Sequence, residues 1–128
     1  MDPRTGNNLM SPEFTLVSDQ ELTFTMEFLP FFNYSSVSVY KTSMLGSIAT
    51  LLGSYTSPWD SSAAMNITHT ICLPAGTYQL VFIASEVENA TESTAVLRQV
   101  LLSNSSCTYT SLAGTVLSFR YCQPITIS

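Results

Sequence analysis

The chain has 128 residues, 45% of them hydrophobic and only 10% charged, with a formal net charge of −5. That length fits one domain with a single buried core, and four basic residues against nine acidic ones exclude a phosphate-backbone partner, whose binding rests on clustered Lys and Arg. No run approaches the roughly 18 apolar residues that a membrane-spanning helix needs.

The opening "MDPRTGNNLMSPEF" is polar, turn-rich and aperiodic. Residues 1–14 are therefore expected to stand outside the fold, as a disordered leader, a linker or a cloning-derived stretch. A β-sandwich is expected over residues 15–110, with 111–128 as a terminal strand and tail. "LTFTMEF" alternates: Leu22, Phe24, Met26 and Phe28 point one way, Thr23, Thr25 and Glu27 the other, as in a half-buried strand. Pro30 ends it, and "SVSVYK" resumes the period with Val37 and Val39 in phase. "GSIATLLGSY", bracketed by Gly46 and Gly53, reads as a further short strand, and "SPWDSS" as a turn.

"MNITHTICL" puts Met65, Ile67, His69, Ile71 and Leu73 on one face and Asn66, Thr68, Thr70 and Cys72 on the other. "PAG" then turns the chain into "TYQLVFIAS", apolar on both faces as a central, doubly covered strand should be. "SEVENATES" is a polar loop. β-Branched residues make "TAVLRQVLLS" a strand rather than a helix, and "GTVLSFRY" closes the set with Leu117, Phe119 and Tyr121 in phase. Short strands separated by turn signals, with no 3.6-residue apolar stripe, predict an all-β sandwich or jelly roll.

Four of the six asparagines lie in N-x-Ser/Thr sequons: Asn33, Asn66, Asn89 and Asn104. With Ser and Thr at 35 of 128 residues, chance supplies about 1.6 such sites. The excess favours a glycosylated, extracellular surface. The first twenty residues, however, lack the charged start and apolar middle of a signal peptide. The two observations are reconciled if the chain is a segment of a larger exported protein. Three cysteines, Cys72, Cys107 and Cys122, leave one over in an oxidising compartment. Pairing Cys72 with Cys107 would clip the start of one strand to the loop after the next, Cys122 is an alternative partner for either, and three free thiols are the plainer cytosolic reading.

From about residue 21 to 107 the chain resembles the C-terminal two-thirds of a MAM domain, an extracellular jelly-roll module of adhesion receptors, receptor phosphatases and membrane proteases. The similar elements, in order, are "LTFTMEF", "SVSVYK", Trp59 in "SPWD", "YQLVFIAS" and "TAVLRQVLLSNSSC". The resemblance implies that Cys107 is the closing cysteine. The family's usual partner is replaced by Asp19-Gln20-Glu21, which makes Cys72 the substitute. Ala95-Val96-Leu97-Arg98-Gln99-Val100 stands where the family has Ile-Ala-Leu-Asp-Asp-Ile, so any ion site built on that acidic pair is not carried over. The N-terminal third of the module has no counterpart here, which implies an incomplete sandwich.

Chemistry-bearing residues are sparse. His69 is the only histidine, too few for a zinc ligand set, and it lies on an apolar strand face without a marked acid or nucleophile. Glu86, Glu88 and Glu92 gather in one loop with the sequon Asn89, in no calcium-loop spacing, and read as a solvated loop. No enzymatic activity, cofactor or metal is expected. "FLPFFNY" offers Phe31, Phe32 and Tyr34 as an interaction surface. The expectation is a non-catalytic extracellular interaction module for adhesion or receptor assembly. Its partner would be a protein, a second copy included, and its parent chain could be membrane-anchored. The alternative is a carbohydrate-binding jelly roll that stacks glycans on those aromatics.

Overall fold

The computed structural model describes residues 8–28, 35–43, 48–56, 65–86, 95–112, 115–117 and 123–127. Among them all regular structure is strand: β1 Asn8–Met10, β2 Phe14–Leu16, β3 Gln20–Phe28, β4 Ser35–Thr42, β5 Ile48–Thr56, β6 Met65–Leu73, β7 Gly76–Glu86, β8 Ala95–Ser106, β9 Thr115–Leu117 and β10 Gln123–Pro124. They form two sheets. The larger runs β10-β1-β7-β4-β5-β9, with β2 also on β7, and the smaller runs β6-β3-β8. The fold is an all-β sandwich, as the alternating pattern predicts.

The alternation that defines β3 also closes the sandwich. Leu22, Phe24 and Met26 are fully buried, as are Val39, Leu73 and Leu80. With Ile71 and Val100 from the small sheet and Leu16, Val37, Leu52, Tyr78 and Phe82 from the large one they make a single core. β7 is apolar on both faces for a reason that the structure makes visible. Leu80 and Phe82 enter the main core, while Val81 joins Met10 and Ala49 in a second cluster, flanked by Tyr40 and Ile83. The Pro-Ala-Gly turn before β7 needs its glycine, since Gly76 has φ of +139°, a conformation that L side chains rarely adopt.

The expectation that residues 1–14 stand outside the fold is corrected for residues 8–14. Asn8–Met10 pairs antiparallel with Val81–Ile83, and Phe14–Leu16 pairs with Gly76–Tyr78. The two segments are successive pieces of one neighbour of β7, interrupted where Pro12 lacks an N–H to donate. Ser11 closes the gap: its N–H donates to Leu80 O at 2.9 Å, and its Oγ accepts from Leu80 N at 2.9 Å while donating to Pro12 O. Strands of three residues carry no readable period, which is why the stretch looks aperiodic. At the other end, β9 pairs with β5, β10 runs parallel to β1, and Ile125 and Ile127 pack on the main core. Residues 123–127 therefore belong to the sandwich rather than to a tail.

Candidate functional site

The disulfide end of the sandwich is the most elaborated part of the described structure. Cys72, at the end of β6, is bonded to Cys107, just beyond β8, with a Cα–Cα distance of 5.8 Å, inside the usual range for such links. Both strands flank β3, so the bond joins the two edges of the small sheet across its central strand. Beside it, Asp19 clasps two distant segments: its Oδ1 accepts the Ala75 N–H at 2.9 Å and its Oδ2 accepts the Tyr109 N–H at 3.0 Å. These two backbone donors, Tyr109 first, hold the carboxyl below its ordinary value of 3.8. Whatever stability the clasp adds is present above that value and is lost as pH falls below it.

Next to Asp19 the Tyr78 hydroxyl donates to Pro74 O at 2.6 Å, and its ring meets Phe14 edge-on at 5.0 Å. Burial, then the Asp19 charge, raises the Tyr78 phenol well above the normal tyrosine range. The Lys41 ammonium lies 5.5 Å from the Tyr78 ring centre and 5.9 Å from that of Tyr109, within cation–π reach of both. One end of the molecule is thus stitched by a covalent bond, a carboxylate and a shared cation.

The outer face of the small sheet is a hydroxyl surface. Thr23 meets Thr70 at 3.2 Å and Thr25 meets Thr68 at 3.0 Å, directly across the β3–β6 register. Glu27 continues the row and pairs with Arg98 of β8. Asn66 is exposed on this face, opposite Glu27, and Asn104 is exposed in the bulged end of β8, where Ser103 Oγ accepts the Ser105 N–H. Both are sterically open to a glycan. Asn33, Asn89, Phe31, Phe32, Tyr34, Trp59 and Cys122 lie outside the described residues, as do Glu88 and Glu92.

His69 faces inward as its strand phase predicts. Its ring packs against Tyr55 at 4.1 Å and Phe24 at 5.5 Å, and its Nε2 is buried without a hydrogen-bond partner. Tyr55 reaches it by lying along β5 over Gly53, where a Cβ would sit 2.6 Å from the Tyr55 hydroxyl oxygen. The imidazole therefore spans the sheets as an aromatic wedge. Burial lowers its pKa from the ordinary 6.5, so the folded state takes up its proton less readily than the unfolded chain. Stability is then fully present above about pH 6.5 and declines as pH falls toward the folded pKa. The melting temperature is expected to drop between pH 7 and pH 5, and to drop less in His69→Phe, which keeps the ring contact without the proton. Differential scanning calorimetry of both chains checks this, and identical pH slopes would refute it. The Asp19 clasp titrates below this window and leaves the comparison clean.

Among the described residues no group of three or more His, Cys, Asp or Glu side chains comes together in a way that could hold a metal ion. A shallow cleft of about 340 Å³ separates Leu97–Val100 of β8 from Ile125 and Thr126, but its cation, Arg98, is already engaged by Glu27. Neither the Asp19 clasp nor the threonine pairs can be read from the residues alone. The first joins residues 56 and 90 positions apart, and the second depends on strand register, so neither leaves a local signal. The chain matches no family model, no curated protein and no solved structure.

Proposed function

We propose that the chain is a non-catalytic interaction module of an extracellular protein, similar to a MAM domain, that meets its partner through the outside of the sandwich. The observation that carries this reading is the Cys72–Cys107 bond at one end of a sheet whose two edge strands each present an exposed sequon asparagine. Disulfides persist in oxidising compartments, and a glycan needs an asparagine clear of packing, as Asn66 and Asn104 are. The segments that carry the resemblance supply β3, β4, β7 and β8, the strands that hold most of the core.

The test is non-reducing peptide mapping of the secreted chain after enzymatic glycan release in heavy-oxygen water. Heavy-oxygen aspartate at positions 66 and 104, together with a linked Cys72–Cys107 peptide, is the expected result. Unmodified asparagines at both positions would sink the extracellular reading.

A further inference from the structure

We propose that β6 is a self-complementary edge through which two copies of the chain pair antiparallel about His69, joining their small sheets into one of six strands. This deepens the interaction reading and rests on it: it names the surface and makes the partner a second copy.

Among the described strands β6 is an edge of the small sheet. Sheet edges are usually blunted by charges, proline, bulges or short length. β8, the other described edge, has such devices: Arg98 and two register irregularities against β3. Among the described residues β6 has none of them. Its nine residues, "MNITHTICL", contain no Asp, Glu, Lys, Arg or Pro, and they pair with β3 in unbroken register from Met65 to Leu73. The strand is long, regular and uncharged, with one side of its backbone ladder unpaired by any other described strand.

Residues 67–71 read Ile-Thr-His-Thr-Ile in either direction. A two-fold axis at His69 places Ile67 against Ile71 of the second copy, Thr68 against Thr70, and His69 against itself. In a two-fold contact residue i meets j and j meets i, and here each such pair joins residues of one type. A shift of the axis by one residue opposes His69 to an isoleucine, so the palindrome selects the register. Both faces of the joined sheet continue what the single sheet begins. Ile67 and His69 are only partly buried at this edge while Ile71 and Leu73 are buried, and a second copy's Ile71 would cover Ile67. On the outer face Thr25–Thr68 and Thr23–Thr70 pairs already exist, and pairing about His69 extends them into two rows of four threonines. Asn66 stays on the solvent side of the joined sheet.

Two doubly substituted chains test the register. In Thr68→Lys/Thr70→Lys each lysine faces a lysine of the second copy. In Thr68→Glu/Thr70→Lys each faces its opposite charge. Both lose the Asn66 sequon and both threonine pairs to β3, so Asn66→Gln, which also lacks the glycan, is the reference. Sedimentation velocity over a concentration series is expected to show a monomer–dimer equilibrium in the reference. The dissociation constant should rise about tenfold or more in the Lys/Lys chain and recover in the Glu/Lys chain, because directly opposed like charges oppose pairing and unlike charges support it. Hydrogen exchange on the unsubstituted chain should show β6 amides slowing as concentration rises, a readout independent of the substitutions. Two charge variants with the same dissociation constant, or β6 amides insensitive to concentration, overturn the proposal. A chain that is glycosylated and disulfide-linked yet monomeric sinks the β6 pairing alone, and bare asparagines sink the reading beneath it.

Discussion

Replacing Cys72 and Cys107 together by alanine is expected to lower the unfolding free energy by about 4 kcal/mol and the melting temperature by on the order of 10 to 15 °C. The bond closes a loop with a sequence separation of 35, and in the chain-entropy account a loop of that length removes about that much freedom from the unfolded ensemble. Against a typical domain stability of about 5–15 kcal/mol this is a large share. The folded state offers little compensation. Without the bond, the ends of β6 and β8 are held near each other only by their ladders to β3 and by the Asp19 hydrogen bonds to Ala75 and Tyr109. Urea unfolding of the two chains checks the prediction with a second readout. A link that acts mainly on the unfolded state also makes that state more compact, so the alanine chain should show a lower midpoint and a steeper dependence on urea. An unchanged free energy would mean that the small sheet holds its edges without the bond.

What could be read from the residues, and what could not, divides along the range of the interactions. β3 and β6 are legible because each keeps a period of two over nine residues, long enough for Leu22, Phe24 and Met26, or Ile71 and Leu73, to stand out from their polar neighbours. β7 is legible for the opposite reason, since its lack of alternation matches burial of Val81 on one face and Leu80 and Phe82 on the other. β1, β2 and β10 span three residues or fewer, and their pairing is decided by β7 and by each other. Ser11 looks like one more polar residue of a linker, yet it is buried and supplies the hydroxyl that Leu80 N–H needs. Asp19 reads as one of three residues in place of a cysteine, yet its carboxylate ties down the segment that follows Cys107 by accepting the Tyr109 N–H. The aromatic interaction surface expected at Phe31, Phe32 and Tyr34 falls outside the described residues.

Phe24→Ala is expected to cost about 3–5 kcal/mol, at the upper end of that range. Phe24 is fully buried at the middle of β3, opposite His69 on β6 and Val100 on β8. Its ring meets Phe82 at 5.5 Å and Tyr55 at 5.4 Å, both edge-on and both from the large sheet. One side chain therefore carries much of the contact between the sheets. Truncation leaves a cavity bounded by hydrogen-bonded strands on two sides, and such walls collapse poorly, which is the condition for a large loss. Phe24→Leu keeps most of the volume and should lose only about 1–2 kcal/mol. Urea unfolding of both chains separates the cases, and a loss under about 1 kcal/mol for alanine would show that the sheets close without this ring. The two large effects should also be nearly independent. Cys72 lies three residues beyond His69 along β6, about 10 Å at the usual strand rise, and neither cysteine is among the core residues around Phe24. Losses at that separation usually add to within about 0.5 kcal/mol. The triple variant should then lose about 7–9 kcal/mol, enough to unfold a domain of ordinary stability at room temperature. A triple variant that still unfolds cooperatively with a smaller loss would show that bond and ring stabilise the same contact between the sheets.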